Sequence, residues 1–204
     1  VAAEVVKLRN DSGSPQDPVE ACRRGDPEAL REVFLAHSPY LERLLTRVLG
    51  PTADVEDVVQ ATFVAAIGAF PRFRGEASVR TWLARIAIRT AQGRLRRAEH
   101  RLRGGVADLE AVGDRGAQAT AAERQLDAER QLQRVYAHLD RIAPKKRIAF
   151  VLHVFEGHSM EEVAALTGAG KSTTKSRVMW ARRELLKRAA HDPALAALVE
   201  EKGS

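Results

Sequence analysis

Ser159-Met160-Glu161-Glu162-Val163-Ala164-Ala165-Leu166-Thr167-Gly168-Ala169-Gly170-Lys171-Ser172-Thr173-Thr174-Lys175-Ser176-Arg177-Val178 decides the architecture. Its first four residues form a capping box. The Ser159 hydroxyl accepts from the amide three residues on, and the Glu162 carboxylate reaches back to the Ser159 amide. Val163, Ala164 and Leu166 form the buried side of a two-turn helix, which Gly168 breaks. Ser172 or Thr173 is placed to cap a second helix running to about Leu186. Val178, Ala181 and Leu185 are its expected inner face. Thr174, Lys175, Arg177, Arg182 and Arg183 are its expected outer face. A short helix, a glycine turn and a basic second helix read as a helix-turn-helix. Its second helix would enter the major groove of duplex DNA. The cations would meet phosphates, and the helix's N-terminal polar residues would lie near base edges. The competing reading is a plain helical hairpin with a solvated basic face.

The same residues imitate a phosphate-binding loop over Ala165 to Thr173. Such a loop must follow a strand and open a helix. Here a capped helix precedes it, and no apolar strand ending in a magnesium-binding Asp follows. The six histidines (37, 100, 138, 153, 158, 191) show no metal-ligand spacing, and the single cysteine, Cys22, excludes an internal disulfide or a cysteine-based zinc cluster. No nucleophile stands in a recognisable catalytic arrangement, so no catalytic residue, metal or cofactor is expected.

Upstream the pattern is also helical. Asp26-Pro27-Glu28 is an N-cap, a first-turn proline and an acid. Leu30, Val33, Phe34, Leu41, Leu44, Leu45 and Val48 follow at helical spacing until Gly50-Pro51. Asp54 begins another helix, with Val55, Val58, Val59, Phe63, Ile67 and Phe70 on one face, ended by Pro71. Arg72 to Ala77 form a loop, and Ser78 caps a third helix with Val79, Trp82, Leu83, Ile86 and Ala87 inward. Gly104 to Ala122, rich in glycine and small residues, reads as a linker. A helix resumes near Glu123, and Pro144 starts another. The expected fold is all-α: two small helical domains joined by a flexible linker, the second a helix-turn-helix. The boundaries fall at 18–103, 104–122, 123–190 and a tail at 191–204.

Charge is distributed in blocks. Across 204 residues the net charge is +6, with 45% hydrophobic side chains, an ordinary globular composition. Residues 72–103 hold ten Arg and two acids, and residues 140–190 carry a net +6. Residues 20–60 are net −3 and the intervening 104–139 net −2. Two separate basic surfaces suit a long polyanion better than a small ligand. No apolar run approaches the roughly 18 residues that span a bilayer, so membrane insertion is not expected. Val1 to Asn10 lacks the layout of a secretion signal, and a cytoplasmic location is expected.

Asp54-Val55-Glu56-Asp57-Val58-Val59-Gln60-Ala61-Thr62-Phe63, followed by Phe70 to Ala87 (FPRFRGEASVRTWLARIA), resembles bacterial sigma factors of the extracytoplasmic-function group of the sigma-70 family. The segment Ser172 to Arg177 resembles that group's last domain. The resemblance covers about residues 20–190 and implies a dissociable, non-catalytic subunit of bacterial RNA polymerase. It implies that Asp54, Glu56, Asp57, Gln60 and Phe63 dock on the core enzyme. It implies that Phe73, Arg74, Arg80, Trp82, Arg85, Ile86 and Arg89 bind and open the −10 element of promoter DNA. There Phe73, Ile86 and Arg89 would hold an unstacked base, with core packing the alternative role for Phe73 and Trp82. Ser172, Thr173, Thr174, Lys175, Ser176, Arg177 and Arg182 would read the −35 element. An anti-sigma protein is a further implied partner.

Several positions depart from the family pattern. Ala61 replaces an acid and Arg89 an asparagine. Thr167 replaces a leucine, Ser172 a glycine, Thr174 a valine and Trp180 an arginine. A threonine in an apolar slot places a hydroxyl that needs a partner. These departures keep open a second reading, a stand-alone helix-turn-helix regulator or a sigma-like antagonist without initiation activity.

Overall fold

The computed structural model describes residues 18–50, 52, 54–103, 130 and 132–189. The helix expected near Glu123 lies outside them up to 129, as do the whole of the linker (104–122) and of the tail (191–204). The elements are α1 (Pro18–Arg23), α2 (Pro27–Leu49), α3 (Asp54–Ala69), a 3-10 turn (Phe70–Arg72) and α4 (Val79–Arg103). After the linker come α5 (132–139), α6 (Pro144–Phe150), a π-turn (Val151–Phe155), α7 (Met160–Thr167) and α8 (Lys171–Ala189). No strand occurs among the described residues.

The starts and stops follow local chemistry. Asp26 Oδ1 accepts from the Glu28 and Ala29 amides, both at 3.0 Å, and Pro27 occupies the first turn of α2. Gly50 ends α2 with φ at 89°, and its amide returns to the Thr46 carbonyl. Ser78 Oγ accepts from the Thr81 amide at 3.2 Å, opening α4. The capping box of α7 is complete: the Glu162 amide donates to Ser159 Oγ, and the Ser159 amide donates to Glu162 Oε2 at 2.8 Å. Gly168 closes α7 in the left-handed region, φ 63°. The start of α8 differs from expectation. Lys171 is already helical and the Gly170 carbonyl accepts the Thr174 amide, so Ser172 and Thr173 lie in the first turn and do not cap it.

Leu41, Leu44, Leu45 and Val48 of α2 are buried with Val58, Val59, Phe63 and Ala66 of α3 and with Leu83, Ala84, Ala87, Ile88 and Ala91 of α4. The cluster continues without a break into Leu139, Ile148, Phe150, Leu152, Val163 and Leu185. The two halves separated by the linker are therefore packed on each other, with α4 against α6 and α7. Ile67, expected inward, is exposed. It stands one residue, about 100°, round the helix from buried Ala66. Phe34 is also partly exposed, its ring tilted on Phe63 at 4.5 Å.

Phe70, Phe73 and Trp82 form an aromatic trio at the turn into α4. Ring centroids are 4.7 Å apart for Phe70 and Trp82, and 4.9 Å for Phe73 and Trp82. Phe70 is fully buried. Phe70→Ala is therefore expected to cost about 3–5 kcal/mol, read as a lower urea midpoint. Ile67→Ala should stay within about 0.5 kcal/mol; a comparable loss at both sites would contradict the packing described.

Candidate nucleic-acid interface

Two basic surfaces rise from these elements. On α4, Arg80, Arg85 and Arg89 are exposed, while Trp82 and Ile86 are half-buried beside them. The Arg80 guanidinium lies 3.9 Å from the Tyr40 ring centroid, a cation–π contact that fixes the start of the stripe. Burial, with Arg80 as a second cause, holds the neighbouring His37 below its usual value. Further along, Arg94 pairs with Asp54 of α3, and that bond raises the Arg94 pKa.

The loop that feeds α4 is tied down. Arg23 donates to the Phe73 carbonyl from Nε at 2.9 Å and from Nη2 at 2.6 Å. It also pairs with Glu20 at 2.9 Å. The Phe73 ring, only 7% exposed, faces the trio rather than solvent. In this conformation it belongs to the core and is closed to a base; Arg74 and Glu76 are among the exposed side chains of the loop.

On α8 the buried positions are Thr174, Val178, Ala181 and Leu185, at steps of four, three and four. Thr174 was expected on the outer face; it is fully buried, and its hydroxyl donates to the Gly170 carbonyl at 3.1 Å. The reason is periodicity, since Thr174 stands one turn before Val178. Thr167, the other threonine in an apolar slot, donates to the Val163 carbonyl at 2.8 Å. The face opposite the buried stripe carries Ser172, Ser176, Met179, Trp180, Arg183 and Lys187, all exposed, with Thr173 and Lys175 at its edges. Arg177 and Arg182 are half-buried on the flanks. Trp180 is 51% exposed, with Lys146 and Arg183 at 5.6 and 5.5 Å from its ring centroid. Sequence reasoning left Met179 out of this face, although the same periodicity places it there.

The turn between α7 and α8 is held electrostatically. Glu161 pairs with Lys171, and that bond keeps its carboxyl below the usual glutamate range. Glu162 is lowered mainly by the Ser159 amide. The residues that mimicked a phosphate loop, Ala165 to Thr173, are the end of α7, this turn and the first residues of α8.

A third surface lies on α3. Glu56, Asp57 and Gln60 are exposed, as is Ala61. Asp54 is half-buried in its pair with Arg94, and Phe63 is buried against Phe34. Apolar side chains the sequence pattern did not single out stand in the open on α2 and α3: Leu35 and Val64, the latter 71% exposed. Among the described residues no group of three or more His, Cys, Asp or Glu side chains is arranged to hold a metal ion. No described helix is long and apolar enough to cross a membrane.

Residues 33–101 match the family model described as Sigma-70 region 2, and residues 132–185 match Sigma-70, region 4. The chain is 30% identical over 174 residues to the ECF RNA polymerase sigma-E factor of Salmonella typhimurium, covering 82% of this chain and 90% of that protein. It is 29% identical over 193 residues to the RNA polymerase sigma-H factor of Pseudomonas aeruginosa, covering 91% and 96%. Among solved structures, CnrH in complex with the cytosolic domain of CnrY is similar at a TM-score of 0.57 and 26% identity, over 86% of this chain and 96% of that one. The sigma factor RpoE of Bartonella quintana, in complex with the anti-sigma factor NepR, shares the fold at a TM-score of 0.54 and 23% identity, over 81% and 99%.

Lys171→Ala is expected to move the Glu161 titration midpoint back up, as followed by carboxyl NMR shifts. Glu162, supported chiefly by the Ser159 amide, should stay in place; equal movement of both would overturn the assignment. Both carboxyls are depressed in the folded chain. Their stabilisation is therefore fully present above the unfolded value, about 4.3, and is lost as pH falls through the folded values.

Proposed function

The chain belongs to the extracytoplasmic-function group of the sigma-70 family, and from that premise we propose how its surfaces divide the work. It is an alternative sigma factor that directs transcription initiation, a regulatory subunit of RNA polymerase. The observation that carries the reading is the outward face of α8. Ser172, Thr173, Lys175, Ser176 and Arg183 stand exposed on a helix whose partner, α7, is capped and closed by Gly168. That helix reads the −35 element in the major groove. Lys175 and Arg183 meet phosphates, the hydroxyls of Ser172, Thr173 and Ser176 face base edges, and Arg177 and Arg182 support the flanks. Thr174 belongs to the packing beneath.

The region 18–103 takes the −10 element along α4. Arg80, Arg85 and Arg89 hold the backbone of the opened strand, and Ile86 with the edge of Trp82 offers an apolar rest for an unstacked base. Arg74 extends this surface onto the loop. Capture of a base by Phe73 requires its ring to leave the trio and its carbonyl to leave Arg23. Docking to core polymerase falls to Glu56, Asp57 and Gln60, with exposed Val64 and Ile67 adding apolar contact; Asp54 and Phe63 set the shape of that face from within. No bond is made or broken by this chain: strand separation is driven by binding energy. The protein works in the cytoplasm, and an anti-sigma protein, such as the NepR bound to RpoE of Bartonella quintana, is its natural antagonist.

Co-elution of the purified chain with bacterial core RNA polymerase on a sizing column, followed by run-off transcription, tests the proposal. A stoichiometric complex that initiates is expected. A stable complex without transcripts would favour the antagonist reading, and no complex at all would favour a free-standing DNA-binding regulator. Within an active holoenzyme, Lys175→Ala should weaken promoter binding and lower the slope of log affinity against log salt by about one. Thr174→Val should leave that slope unchanged while destabilising the fold by about 1 kcal/mol. A slope change at Thr174 instead of Lys175 would place the wrong face of α8 on DNA.

A further inference from the structure

A helix laid in the major groove reads base edges with the side chains of its outward face. On α8 that face lies opposite the buried stripe of Thr174, Val178, Ala181 and Leu185. It begins with two short hydroxyl residues, Ser172 and Ser176. In its middle stand two large apolar side chains, Met179, 60% exposed, and Trp180, 51% exposed. The indole sits in a cationic frame. Lys146 of α6 lies 5.6 Å and Arg183 of α8 lies 5.5 Å from its ring centroid. Lys146 is in turn held by Glu184 at 2.5 Å. The ring is therefore oriented by two elements while half of it stays open to solvent.

We propose that Trp180, with Met179 beside it, is a specificity-determining residue of the DNA face and takes the C5-methyl group of a thymine in the −35 element. The inference rests on the reading of α8 as the helix that enters that element. Of the groups that base pairs present in the major groove, the thymine methyl is the apolar one. It is the natural complement of an exposed indole and thioether. The single indole N–H cannot make the two-pronged bond that an arginine makes to guanine O6 and N7, and the ring accepts nothing from the amino groups of adenine or cytosine. Against a polar edge, Met179 and Trp180 would strip water from it and return no hydrogen bond. Against a methyl group they exclude water from an apolar surface on both sides. Discrimination comes from the loss in one case and the gain in the other.

The surroundings of the ring suit this use. Trp180 lies one turn, about 6 Å along the axis, beyond Ser176. The short side chains at 172 and 176 let the first turns of α8 approach the floor of the groove, and the longer indole fills the groove next to them. Arg183, Lys175 and Lys187 stay exposed around it, so phosphates hold the helix in place while the ring meets the bases. A ring already held between Lys146 and Arg183 loses little freedom on binding. The same frame favours DNA over an apolar protein groove, which would have to bury those cations along with the ring.

Holoenzyme formed from the full chain and core RNA polymerase is used to select the preferred −35 sequence from randomised duplexes. Each thymine in it is then replaced by deoxyuridine, which removes the methyl group and keeps the hydrogen-bonding edge. At one position, or two adjacent ones, uracil is expected to weaken binding about fourfold, the worth of one buried methyl-sized group. In Trp180→Ala the thymine and uracil duplexes should bind alike at that position. Trp180→Phe should keep most of the discrimination, and Trp180→Arg should move the selected pair there to G·C. The site is exposed, so all three variants should retain the helical content of the unmodified chain. A selected sequence without thymine, no effect of uracil at any thymine, or a methyl effect that persists in Trp180→Ala overturns the inference and leaves the −35 reading standing. Weaker binding of Trp180→Ala to core polymerase with unchanged duplex preferences would assign the ring to a protein surface and overturn it too. If no sequence is preferred in the −35 region, the reading of α8 itself fails and the inference falls with it.

Discussion

A helix that ends inside a protein must find donors for its last carbonyls, and the end of α2 meets that demand with side chains about ninety to a hundred residues away in sequence. The arrangement of the whole molecule follows from it. Gly50 turns the chain away with a positive φ that a side chain would resist, and the space it leaves is taken by the Tyr136 ring. Burial raises the Tyr136 phenol pKa, against the opposing pull of Arg147 and Arg47. At neutral pH the hydroxyl therefore keeps the proton it donates. With α2 and the second half joined here, α4 is left packed on α6 and α7 along one side and open along its arginine stripe on the other.

The loop before α4 answers a different constraint. A loop exposed on both sides would leave the helix start free to fray. Here the aromatic trio anchors it from below, and Arg23 holds the Phe73 carbonyl from α1. Rigid placement of Arg80, Arg85 and Arg89 depends on that anchorage; in the role proposed for them, a cation contributes most when its backbone needs no further ordering. The same anchorage withdraws Phe73 from solvent. Its ring cannot serve the core and a flipped base in one conformation.

In the helix-turn-helix, the departures from the family pattern resolve into ordinary local chemistry. Thr167 and Thr174 occupy slots where apolar residues are usual, and each returns its hydroxyl to the carbonyl four residues back. The polar atoms are satisfied within their own helices, so the motif keeps its geometry. Trp180, where an arginine is usual, keeps cationic neighbours in Lys146 and Arg183. The α8 face thus presents an indole framed by positive charge, and with Met179 it gives the centre of that face an apolar character absent from its edges.

Local order was legible in the sequence because it is governed by neighbours in sequence. The capping box at Ser159 and Glu162, the Asp26-Pro27 helix start, the Gly168 break and the all-α class each depend on residues within a few positions of one another. The position of Thr174 was equally available, since the four-three-four spacing to Val178, Ala181 and Leu185 marks the inner stripe. It was obscured by the neighbouring Lys175 and Arg177, which draw a polar residue outward by association. Which donors meet the α2 carbonyls, whether Phe73 turns in or out, and how the two halves pack were decided by tertiary structure alone. Those outcomes depend on groups brought together from across the linker, or from α1 to the loop before α4, and no periodicity records which distant side chain satisfies a given carbonyl. Arg147 is the plainest case: in sequence it is one more cation of a basic block, and only the end of α2 makes it a buried one.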